Sequence, residues 1–74
     1  MSAPTPSNAA GALLRVRMAL HSGDAKGARV LAEQARRAFP EDAPLADAAG
    51  DLAMKTGDPA AAEAHFAAAC AAAP

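Results

Sequence analysis

Gly57-Asp58-Pro59 is the stretch that decides the fold, because the same Gly-Asp step already occurs 34 residues earlier at Gly23-Asp24. A fixed period of about 20 to 50 residues indicates stacked supersecondary units rather than one globule. Glycine ends a helix without a steric penalty, and aspartate caps the next helix by accepting hydrogen bonds from its free N–H groups. The chain is therefore predicted to contain the same helical hairpin twice, with a tight turn at each Gly-Asp step.

Similar residues recur 34 residues apart at further positions. At each of them a helical hairpin restricts which residue type fits. Small residues recur where two helices approach each other, and proline recurs where each unit ends. The matched pairs are Ala28 with Ala62, Ala35 with Ala69, Pro40 with Pro74, Met18 with Leu52, and Leu20 with Met54. We therefore predict an all-α chain with one unit at residues 8–40 and a second at residues 41–74.

Four helices are predicted within these two units. Asp58-Pro59 is a strong start signal, since proline is tolerated at the first helical position after a capping residue. The predicted helices lie near residues 8–22, 24–39, 43–56 and 59–72. Residues 1–7 combine prolines with serine and threonine, so we expect a flexible leader outside the fold.

Apolar residues at helical spacing predict which faces are buried. The first helix has Leu13, Val16 and Leu20 in one stripe with Leu14 and Met18 beside it, which predicts a wide apolar face with partners on two sides. The fourth helix has Phe66 as its one bulky residue. The remaining inward positions are predicted to be Ala28, Leu31, Ala32, Ala35, Ala38 and Phe39 in the second helix, Leu45, Ala48, Ala49, Leu52 and Ala53 in the third, and Ala62, Ala69, Cys70 and Ala73 in the fourth.

These residues resemble two tandem tetratricopeptide repeats, whose helix-turn-helix unit of about 34 residues has the pattern W-x2-L-G-x2-Y, then A-x3-F, then P. The second unit has Gly50 in the glycine position, Ala62 and Phe66 in the A-x3-F positions and Pro74 in the proline position. The first keeps only the alanine and proline, as Ala28 and Pro40, and alanines replace most of the usual aromatic residues. The resemblance implies two antiparallel helix-turn-helix hairpins stacked as a short right-handed α-solenoid.

The resemblance also implies a binding surface for a protein or peptide partner. In tetratricopeptide arrays the first helix of each hairpin lines a concave groove that takes extended peptides or partner helices. The corresponding positions here are Leu13, Arg17, Leu20 and His21 in the first unit and Asp47, Asp51, Met54 and Lys55 in the second. An ordinary charged exterior is the alternative interpretation. Some members of the family clamp a C-terminal carboxylate with Lys and Asn, but Leu13 and Arg17 stand at those positions, so that activity is not implied.

The residues supply no catalytic, cofactor-binding or metal-binding constellation, and we expect a chain that is not an enzyme. His21 and Asp24 lie three residues apart, but two ligands across a helix end do not make a metal site. His65 is expected on a solvated face. The one cysteine, Cys70, excludes an intrachain disulfide and is expected to pack as a small hydrophobic residue in a reducing, cytoplasmic compartment.

Charge is distributed unevenly along the chain, although the net charge is only −1. The small net charge makes no case for nucleic acid or an anionic membrane surface as a partner, and no apolar run is long enough to predict a membrane span. Residues 1–40 carry six basic side chains against two acidic ones, whereas residues 41–74 carry one against six. Two interpretations stay open, namely helix-end electrostatics or head-to-tail contact with another copy.

Three functions remain compatible with the sequence. The first is a non-catalytic interaction module that holds a peptide or a partner helix. The second is the N-terminal tetratricopeptide segment of a longer protein, such as an enzyme with a downstream catalytic domain. The third is a structural unit that self-associates through its own ends. Solenoids usually need about three repeats and a solvating end helix, so an in-frame continuation after Pro74 would identify the second function.

Overall fold

The computed structural model describes residues 8–72, and this part of the chain consists of four α-helices with no β-strand. The helices are α1 (Ala9–His21), α2 (Ala25–Ala38), α3 (Ala43–Lys55) and α4 (Pro59–Ala72). Each begins and ends within about a residue of its predicted bounds, which confirms the all-α prediction. The predicted leader at residues 1–7 and the stripe and stop residues Ala73 and Pro74 lie outside the described part.

The two Gly-Asp turns have the same geometry. Gly23 and Gly57 adopt φ angles of 88° and 81°, in the left-handed region that favours glycine. The side chains of Asp24 and Asp58 then accept hydrogen bonds from the N–H groups of Gly27 at 2.8 Å and Ala61 at 3.1 Å. The sequence period is therefore matched by a repeated local structure at both turns, as the capping argument predicts.

The core is thin because alanine contributes most of it. Ala28, Ala32, Ala53 and Leu45 are fully buried, and alanine lets neighbouring helices approach closely. The other buried hydrophobic residues are Ala12, Val16, Ala35, Ala46, Ala49, Leu52 and Ala62. Helix α3 is central, since it packs against each of the other three helices.

Several predicted inward positions are instead exposed. Leu14 and Met18 on α1 are 58% and 63% exposed, so the prediction of a wide, doubly covered face was wrong. Helix α1 packs against α2 and α3, and these two neighbours cover only the stripe that contains Ala12 and Val16. Ala38 and Cys70 are also exposed, because each lies on a side of its helix that no other described helix covers.

Candidate functional site

A groove of about 230 Å³ runs between α1 and α3. Its polar lining comes from charged side chains on both helices. Its apolar lining comes from Leu13, Val16 and Leu20 on α1 and from Pro44, Ala48 and Leu52 on α3. Six of the eight residues that the sequence analysis placed in a binding groove line it: Leu13, Arg17, Leu20, Asp47, Asp51 and Lys55. The structure therefore brings most of the predicted surface together; we call it the α1–α3 groove.

Helical spacing explains why these side chains share one groove. Residues three, four or seven apart project from the same side of an α-helix. On α1 this spacing relates Leu13, Arg17 and Leu20, and on α3 it relates Asp47, Asp51 and Lys55. The two helices are the first of each hairpin, and they contact each other directly.

The other two predicted groove residues lie elsewhere. His21 is exposed at the C-terminal end of α1, where it lines a shallow depression together with Arg17, Met18 and Ser22. Met54 lies on the α4 side of α3, in a cavity that Phe66 also lines. Arg17 lines both the groove and the depression, so His21 borders the groove, whereas Met54 belongs to a different surface.

The charged side chains of the α1–α3 groove are exposed and balanced. Arg17 and Lys55 supply two positive charges, and Asp47 and Asp51 supply two negative ones. Within residues 8–72, both ion pairs are made by Arg29, so none of these four side chains is paired. The groove therefore presents apolar lining beside charged groups of both signs that an incoming ligand can engage.

Arg29 forms a second polar cluster that the sequence analysis did not anticipate. Its guanidinium donates to the Thr56 hydroxyl at 2.9 Å and to the Asp58 carboxylate at 2.7 Å, both at the turn between α3 and α4. It also donates to Glu33 at 3.2 Å on its own helix. Helix α2 of the first hairpin is thus tied to the turn of the second.

The pKa values of this pair are shifted in the directions that mutual stabilisation requires. The hydrogen bond from Arg29, followed by the bond from the Ala61 N–H, holds the pKa of Asp58 below its ordinary value. The hydrogen bond to Asp58 likewise raises the pKa of the Arg29 guanidinium. Asp58 therefore serves both as the N-cap of α4 and as the partner of α2.

His65 was predicted to be solvated, and that prediction was wrong. Its ring is half-buried, and its Nδ1 atom accepts a hydrogen bond from the Nε–H of Arg36 at 3.3 Å. Burial, and then the positive charge of Arg36, lower the pKa of His65 below its ordinary value of 6.5. Arg36 also donates to the Pro40 carbonyl at 2.7 Å, just beyond the C-terminal end of α2.

One sequence signal could have revealed these contacts. Arg29 and Arg36 are seven residues apart and therefore lie on the same side of α2, two turns from each other. Their targets, Asp58 and His65, are also seven residues apart. Equal spacing of donors and acceptors indicates that the two segments pair with each other. It predicts this pairing only when the relative placement of the two helices is already known.

Neither a metal centre nor a membrane span is found in the part of the chain that the structure describes. No three of its His, Cys, Asp and Glu side chains lie close enough together to hold a metal ion. None of its helices combines the length and the apolar character that crossing a membrane requires.

Comparisons with known proteins add no family assignment. No protein-family model, curated protein or solved structure gives a significant match to the chain. The resemblance to tetratricopeptide repeats therefore rests on the residues of the two units alone.

Proposed function

We propose that the chain is a non-catalytic interaction module that binds an extended peptide or a partner helix in the α1–α3 groove. The observation that carries this proposal is the composition of the groove. Apolar side chains lie beside two exposed cations and two exposed anions, none of which is ion-paired within residues 8–72. A concave apolar surface with a few polar groups is typical of a recognition site, because the apolar contact supplies affinity and the charges set orientation.

The same proposal includes the arrangement of the two hairpins as a short, right-handed, tetratricopeptide-like solenoid. Three observations support it: the 34-residue period, the similar geometry of the turns at Gly23 and Gly57, and the contacts of α3 with both helices of the first hairpin. In such an arrangement the first helices of the two hairpins line one side, which is where the α1–α3 groove lies.

The charges of the groove define the kind of ligand it would take. An apolar side chain would enter between Leu13 and Leu52, an acidic group would approach Arg17, and a basic group would approach Asp47 or Asp51. A peptide that combines an aliphatic residue with charges of both signs fits this pattern. A uniformly acidic or basic ligand would meet two like charges, which disfavours it.

Selection from a library of random linear peptides on the immobilised chain tests the proposal. We expect enrichment of an aliphatic motif flanked by charges, and we expect Arg17→Glu or Asp51→Lys to weaken the selected peptides by about tenfold or more. Arg37→Glu and Glu41→Lys change the same charges at exposed positions outside the groove, and both should leave binding unchanged. Selected peptides that bind the groove variants and the native chain equally would refute the proposal.

A further inference from the structure

A second apolar surface is formed by α4 and the end of α3. It is a shallow, open depression of about 440 Å³, and we call it the α4 face. The residues that line it are Met54, Pro59, Ala62, Glu63, Phe66, Ala67 and Cys70. Glu63 is its one charged side chain, and neither ion pair of residues 8–72 involves it.

Helix α2 shows how such a face is covered within this molecule. The 34-residue period relates Ala28 to Ala62, Ala32 to Phe66 and Arg29 to Glu63. Ala28 and Ala32 are fully buried in one cluster with Ala49 and Leu52 of α3. Beside this cluster, Arg29 reaches Thr56 and Asp58 at the following turn. An apolar contact, the Arg29–Asp58 ion pair and the hydrogen bond from Arg36 to His65 therefore hold the second hairpin on α2.

A second copy of the chain would fit the α4 face poorly if its first hairpin packed there as the second hairpin packs on α2. Its Arg15 and Met18 would take the places of Ala49 and Leu52, which are 1% and 2% exposed. A buried, unpaired arginine is costly, because its charge loses water without gaining a partner. Its Asp24 would take the place of Asp58 and would face Glu63, so two carboxylates would oppose each other.

We propose that the α4 face docks a partner with the opposite chemistry, namely a helical hairpin that brings a lysine or arginine to Glu63. Small or aliphatic side chains of this partner cover the accessible residues of the face, Met54, Phe66 and Ala67, as Ala49 and Leu52 pack against Ala28 and Ala32. In the contact between the two hairpins, Arg29 pairs with an anion, Asp58. Glu63 occupies the equivalent position on α4, so it favours a cation in the partner. The same preference disfavours a second copy. This proposal concerns a surface separate from the α1–α3 groove and does not depend on the function proposed for it.

A variant of the chain itself can serve as the probe for this partner. It carries four substitutions, Arg15→Ala, Ser22→Lys, Asp24→Asn and Glu63→Lys, all at exposed positions. The first restores a small residue in the place of Ala49, and the second puts a cation in the place of Thr56, which Arg29 contacts. The third removes the opposing charge while asparagine keeps the N-cap. The fourth makes the probe's own α4 face cationic, so that the probe repels itself.

Sedimentation velocity at several concentrations and low salt then measures the association. We expect the native chain and the probe to be monomeric alone and to form a one-to-one complex when mixed. When Glu63→Lys is introduced into the otherwise native chain, that chain should bind the probe at least about tenfold more weakly. The new positive charge would then face the lysine that Ser22→Lys introduces in the probe. Glu41→Lys makes the same charge change in the α2–α3 turn and should have no effect.

Three results would overturn the proposal: concentration-dependent self-association of the native chain, no complex with a probe of native helicity, or a complex insensitive to Glu63→Lys. Circular dichroism establishes the helicity of the probe. If Asp24→Asn lowers the helicity, Asp24→Ser replaces it, because serine is also a good N-cap and carries no charge. Absence of a complex with that helical version also counts against the proposal.

Discussion

The ring of Phe66 on α4 lies directly over Gly50 on α3, where a Cβ atom on Gly50 would stand 2.5 Å from the ring's Cε1 atom. That distance is too short for two carbon atoms that are not bonded. Alanine is favoured over glycine inside a helix by about 1 kcal/mol, so glycine at this buried position is unfavourable for α3 alone. We infer that Gly50 supplies the space in which Phe66, the only bulky apolar side chain of α4, packs.

Gly50→Ala should therefore have opposite effects in two backgrounds. In the native chain it should destabilise, because overpacking costs about 1 to 3 kcal/mol and outweighs the gain in helix propensity. In a Phe66→Ala background the space is free, and the same substitution should stabilise the fold by up to about 1 kcal/mol. Urea unfolding of the four chains gives the comparison, with an osmolyte present to keep the Phe66→Ala chains folded. An effect of the same sign in both backgrounds would contradict the packing.

Asp58→Asn should lower the melting temperature more than Asp24→Asn. Asparagine is as good an N-cap as aspartate, so both substitutions keep the cap and remove one charge. Only Asp58 is also paired with Arg29, at 2.7 Å. The difference between the two variants should disappear in an Arg29→Ala background and shrink at high salt. Equal shifts for both aspartates in the native background would show that the Arg29 contact contributes nothing.

Stability should fall as the pH drops below the ordinary pKa of histidine. The pKa of His65 is lower in the folded chain than its ordinary value of 6.5, so the unfolded chain binds a proton more readily. Its contribution is therefore fully present above about pH 6.5 and is lost as the pH falls towards the lowered value. Arg36 and Arg29 oppose the charged imidazole, whereas Glu33 and Asp58 favour it.

Urea midpoints measured between about pH 7.5 and pH 5 test this dependence. His65→Gln should flatten the curve in this range, because it removes the side chain whose pKa is lowered by folding. Asp58 does not interfere, since its pKa is lowered from an already acidic ordinary value of 3.8. A native curve that is flat over this range would contradict the account of His65.

Leu52→Ala should come close to unfolding the chain. Leu45, Leu52 and Val16 are the largest fully buried side chains of the described part, so each carries a large share of a small core. Truncation of a buried leucine costs about 2 to 5 kcal/mol, and small domains have little stability to lose. Leu14→Ala makes the same change at a side chain that is 58% exposed and should cost only about 0.5 kcal/mol. Thermal melts followed by circular dichroism separate the two cases.

The α1–α3 groove shows which residues of the candidate site can be predicted from the sequence alone. Residues such as Arg17 and Leu20, or Asp47 and Asp51, could be assigned to one helix face from their spacing, and the structure places them in one groove. Met54 could not be separated from them by spacing, because it lies at the edge of that face of α3. Its position towards Phe66 depends on where α4 packs.

The sequence by itself determined the four helices and the two Gly-Asp turns, because caps, left-handed glycines and helical periodicity act between residues close together in the chain. Tertiary structure alone decided that Leu14 and Met18 are exposed, that His65 is half-buried against Arg36, and that Arg29 reaches Asp58. Those outcomes depend on the distance between the alanine-lined helices and on the angle at which they cross. Alanine constrains both weakly, since its small side chain permits many packings of similar local energy.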